Sequence, residues 1–178
     1  MGDVELTTEA TDQAFSSPDL ARIAKHLTEI GIPVRPASLG DDDQLPGVRI
    51  EHGSLLVDES KLLYPGDVVH EAAHIAVMPP SVRAQVVGAL PHEPGEEMAA
   101  LAWSYALAVT YQLPLEVVFH DAFKAGGPWL REVFLSGGDL GVPLLDYWGM
   151  CGSRHAVGVA GLPEFPAMAK WLRDDPPG

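Results

Sequence analysis

With 178 residues, 47% of them apolar and 20% charged, the chain fits one globular domain of ordinary composition. A formal net charge of −14 argues against nucleic-acid and anionic-membrane partners, which are held through clustered Lys and Arg and the counterions they release. A single cysteine, Cys151, excludes an internal disulfide, and neither a secretory leader nor a run of ~18 apolar residues is present, so a cytoplasmic location is predicted.

In chain order, residues 1–16 read as a polar, flexible N-terminal segment, 17–173 as one domain and 174–178 as a tail. Ser17 is placed to cap a helix opened by Pro18, whose apolar set Leu20, Ile23, Ala24, Leu27 and Ile30 recurs at helical spacing until Gly31 ends it. The prolines of IPVRPASL make that stretch extended, and GDDDQLPG is a solvated loop. VRIEH and SLLVDES around a His52-Gly53 turn predict a β-hairpin over 48–59.

Beyond it the pattern is helical. Asp67 is placed to cap a helix closed by Pro79 and Pro80, and a short helix is expected from Ser81 to about Leu90. The longest helix is EEMAALAWSYALAVTYQ, after which Pro114 and Pro128 each open another and FPAMAKWLRD supplies a last amphipathic turn. The fold class expected is α+β, with a small N-terminal sheet packed on a mostly helical body.

The stretch GDVVHEAAHIAVMPP places His70, Glu71 and His74 among Val68, Val69, Ala72, Ala73, Ile75 and Val77. Histidines four apart project from one helix face, so both imidazoles can meet one ion at about 2.0–2.1 Å. Glu71, turned about 100° from His70, falls beside that ion, where it can hold a water and act as general base. Burying three such groups without partners costs several kcal/mol, which a bound metal would offset.

The longer pattern HExxHxxGxxH is absent, since Val77 and Pro80 stand where it needs Gly and His. A third ligand must come from another element, and two-His-one-Glu zinc sites draw a carboxylate from a second helix. Glu97 is preferred, because it shares a stripe with the modest side chains Ala100, Leu101, Ser104 and Ala108. Glu96 is the alternate, on the stripe of Ala100, Trp103 and Leu107, while His92 and Glu93 stay open as loop candidates.

At these residues the sequence resembles the zincin metallopeptidases of the gluzincin type, with His70, Glu71 and His74 matching HExxH and Glu97 matching the downstream glutamate. It is similar as well to compact bacterial zincin-like proteins carrying GDxxHEAxH followed by a helix like GEEMAALAWSYA. The resemblance implies a minimal zincin-like domain whose edge strand holds an extended peptide beside the metal helix. It further implies an oxyanion-stabilising Tyr or His that no motif locates, so Tyr105, Tyr111, Tyr147, His120, Arg154 and His155 are all candidates. Cys151 and His155 in CGSRH are a weak cue for a second metal.

Two functions are thus expected to compete. One is a zinc-dependent hydrolase, a metallopeptidase of narrow specificity acting on a peptide or protein substrate with Glu71 as general base. The other is a non-catalytic zinc-binding domain serving as a regulatory or partner-binding module, in which four protein ligands close the site.

Overall fold

The computed structural model describes residues 15–41, 45–88, 93–155, 158 and 160–175. Helix α1 spans Pro18–Glu29 and begins as the sequence dictates: Ser17 Oγ accepts from the Leu20 amide, and Pro18 sits in the first turn. Gly31 follows with φ +99°, the left-handed stop that glycine takes without strain. Phe15 and the buried face of α1, Leu20, Ile23, Ala24 and Leu27, join the main core.

The sheet has three strands, β1 (Val34–Pro36), β2 (Val48–Glu51) and β3 (Ser54–Val57), in the order β1-β3-β2. β1 runs parallel to β3, and β2 pairs antiparallel to it with Val48 opposite Val57 and Ile50 opposite Leu55. The hairpin turns at His52 (φ 49°) and Gly53 (φ 77°), the two left-handed residues that match the twist of the strands. Asp58 locks the end of β3: its carboxylate accepts from the Leu39 amide, the Ser60 amide and the Ser60 hydroxyl.

Those bonds, the Ser60 hydroxyl first, hold the Asp58 carboxyl below its ordinary value. The stability it contributes is therefore full above about pH 4 and drains away as pH falls through the lowered folded value. An Asp58→Asn variant should melt below wild type at pH 6, with the gap closing as the melts are repeated down to pH 3.

Seven helices complete the described residues: α1, then α2 (Pro65–Val77), α3 (Pro80–Arg83), α4 (Pro94–Thr110), α5 (Leu115–Val118), α6 (Gly127–Leu135) and α7 (Val142–Tyr147). The molecule is α+β, a small sheet beside a helical body. α2 and α4 pack together at its centre, and both are alanine-rich where they are buried, at Ala72, Ala73 and Ala76 on one and Ala99, Ala100 and Ala102 on the other. Small side chains let two backbones approach closely, which is how the start of α4 reaches the middle of α2. Among the described residues, no helix is long and apolar enough to cross a membrane.

Three expectations are corrected. Asp67 does not cap α2; the cap is Tyr64, with Pro65 at the first position and Asp67 inside the first turn. The helix expected from Ser81 to about Leu90 is only the four-residue α3, after which Val87 forms an antiparallel bridge to Glu51; residues 89 and 90 lie outside the described set. FPAMAKWLRD is not helical, because its backbone is spent on tertiary contacts: Trp171 O accepts from Trp103 Nε1, and the Arg173 amide donates to Ala76 O.

The C-terminus of α2 is closed by arginines rather than by glycine. Arg83 donates to the carbonyls of Ile75 and Met78, and Arg173 to those of Ala76 and Val77, satisfying orphan acceptors of the last turn. At the other end, Gly66 lies so close to α5 that a Cβ there would stand 1.9 Å from the Val117 carbonyl oxygen. Gly66→Ala must push α2 off α5, so a loss of about 2–3 kcal/mol is expected in urea melts.

Candidate metal centre

His70 and His74 stand one turn apart on α2, and Glu97 enters from the first turn of α4. The three groups stand in a triangle: His70 Nε2 to His74 Nε2 is 3.1 Å, and the Glu97 carboxylate turns one oxygen to each ring, Oε1 3.3 Å from His70 Nε2 and Oε2 3.2 Å from His74 Nε2. Ligands bound tetrahedrally at about 2.0–2.1 Å lie about 3.3 Å from one another. Each of these separations is near the ligand–ligand spacing of a zinc tetrahedron, one ligand atom from each residue lies within 4.8 Å of the others, and the donor set suits that ion. Among the described residues, no fourth His, Cys, Asp or Glu joins the group.

All three side chains are mostly buried, at 16%, 17% and 28% exposure. Hydrogen bonds from His70 and His74 hold the Glu97 carboxyl well below the usual carboxylate range, so it is an anion ready to ligate. The His70 ring is also held by the edge of Phe123, 5.1 Å away, and its Nδ1 is buried without a hydrogen-bond partner.

Glu71 lies beside this triangle in a cavity of about 420 Å³. Burial is the main cause that pushes its carboxyl up, against the pull of the His74 and His70 rings. A raised carboxylate next to a metal set has the character of a proton acceptor that can also give the proton back.

Glu96, the alternate ligand, stands at the cavity wall but is engaged elsewhere: its Oε1 pairs with Arg173 Nη1 at 3.3 Å. Glu93 lines the cavity without joining the triangle, and His92 lies outside the described residues. None of the six oxyanion candidates lines this cavity. Tyr105 stacks on Phe134, Tyr111 on His26, and Tyr147 is 69% exposed. Arg154 and His155 face Glu164 and Asp139 on the surface. Cys151 is buried and its thiol is pushed up to about 12, the opposite of a metal-ligating thiolate.

His120 has a different part. Its Nε2 contacts Asp67 Oδ1 at 2.9 Å, its ring stacks on Tyr64 at 3.8 Å, and it is 8% exposed. Asp67 lines the cavity one turn ahead of His70, so His120 fixes a carboxylate in the wall instead of facing the cavity itself. The cations of the wall are Arg49 on β2 and Lys124 in the loop before α6. Sequence reasoning missed Asp67, Arg49 and Lys124 as cavity residues; only Asp67 was signalled, since three residues before His70 is the same helix face. No family model matches the chain, and no curated protein or solved structure shows significant similarity to it.

Proposed function

We propose that the protein is a zinc-dependent hydrolase, and most specifically a metallopeptidase of narrow specificity, with His70, His74 and Glu97 as ligands and Glu71 as general base. The observation that carries this reading is the convergence of the two imidazoles and the Glu97 carboxylate, with contacts of 3.1–3.3 Å between the groups, on a cavity that Glu71 shares. A zinc ion held there would polarise a carbonyl and lower the pKa of water to about 7.

The chain's own groups would do the rest. Glu71 takes a proton from the attacking water and returns it to the leaving nitrogen, so that the water oxygen ends on the acyl carbon as the C–N bond breaks. Among the described residues no fourth ligand joins these three, which favours this over a closed structural site, in which a fourth residue would complete the set. The apolar wall of Val48, Ile50, Met78 and Phe123 suits an uncharged peptide backbone, and a lone buried Cys151 suits the reducing cytoplasm.

The test is metal content followed by hydrolysis. Protein purified without added metal should carry zinc near one per chain, and a mixed peptide library should be cleaved, with cleavage stopped by a chelator and restored by zinc. Less than ~0.2 zinc per chain, with no uptake on titration, would sink the reading.

A further inference from the structure

The register of β2 limits what can lie along it. The Asp58 amide donates to the Gly47 carbonyl and Arg49 stands opposite Leu56, so the N–H and C=O of Arg49 face β3 while those of Val48 and Ile50 face away from the sheet. This outer edge adjoins the metal-site cavity, which both Val48 and Ile50 line.

Most of the edge is already taken by the chain. The Ile50 carbonyl accepts from the Gly88 amide at 2.8 Å, the His52 amide donates to Val86 O at 2.8 Å, and the Val48 amide donates to Leu45 O at 3.2 Å. What remains is the Val48 carbonyl and the Ile50 amide, which have no partner among the described residues. One acceptor and one donor, flanking Arg49, make a single rung of a ladder. A longer bound strand would need the Ile50 carbonyl and the Val48 amide as well.

We infer that the site takes a compact amide, held at β2 by one two-bond rung between the Val48 carbonyl and the Ile50 amide, and not the middle of an extended polypeptide. This rests on the metal-dependent reading above and narrows its substrate class to blocked single residues, dipeptides and chain termini. A cavity of about 420 Å³ agrees, being the size that encloses small ligands. It stands as an alternative to the extended peptide that the resemblance implies.

The zinc-loaded full chain is titrated calorimetrically with three probes: acetohydroxamic acid, N-acetylleucine hydroxamate and an acetylated hexapeptide hydroxamate ending in the same leucine. The single residue should bind at least tenfold tighter than acetohydroxamate, and the hexapeptide within threefold of the single residue. Amide exchange read by NMR should slow at Ile50 on binding, while Gly88 and His52 stay protected with and without ligand. A hexapeptide tenfold tighter than the single residue, no gain from acetohydroxamate to the single residue, or loss of protection at Gly88 would each overturn the inference while leaving the metal site standing. Failure of acetohydroxamate itself to bind would remove the metal reading, and the inference with it.

Discussion

Glu71→Gln should keep one zinc per chain and lose about 10²–10⁴-fold in hydrolysis, the range attached to a positioned acid–base group. The amide has the shape of the carboxyl and can still hydrogen-bond a water, so the cavity and the three ligands are undisturbed. It cannot take up a proton, and that is the one property the substitution removes. Misfolding is not expected to confuse the result, because burial already disfavours the charged form of Glu71 and an uncharged amide avoids that cost. Zinc by elemental analysis, turnover on a cleaved peptide and melting temperature at pH 7 form the needed trio. Full turnover in this variant would show that some other group moves the proton.

The second large effect separates two adjacent glutamates. Glu97→Ala removes the only carboxylate in the donor triangle and should weaken zinc by more than about 100-fold, beyond the 10–100-fold typical of losing an outer hydrogen-bond partner. Glu96→Ala should leave zinc affinity within about threefold, because the Glu96 carboxylate is paired with Arg173. That pair is partly exposed, so its loss should cost only about 0–1 kcal/mol of stability. Competition against a chromophoric chelator reads both variants. The opposite pattern would assign the third ligand to Glu96.

Local signals carried much of this site. His70, Glu71 and His74 were legible because their spacing and the apolar run around them belong to one helix, and helical periodicity is a short-range property. Glu97 was legible only as a preference, from the size of its neighbours on α4, since which face of α4 meets α2 depends on the whole packing. The start of α2 was misplaced by two signals in competition: Asp67 is a good cap, but Pro65 can occupy the first position, and the proline prevailed.

The failures share a cause in distance along the chain. Residues 86–88 read as helix, yet they pair with a strand more than thirty residues earlier, which no local pattern reports. Residues 165–174 carry an amphipathic pattern, yet Trp171 and Arg173 use their backbone on α4 and α2 instead. His120 read as a candidate for the reaction, and its bond to Asp67, fifty-three positions away, gives it a supporting place.

Arg173 closes the final turn of α2 and holds Glu96 at the head of α4, so the two helices that carry His70, His74 and Glu97 are tied together by a residue 77 positions beyond Glu96. During synthesis, a chain emerging from the ribosome lacks that clasp until Arg173 is out, well after α2 and α4. If the zinc reading proposed above holds, metal capture should follow the docking of Arg173 rather than seed the packing of the two helices.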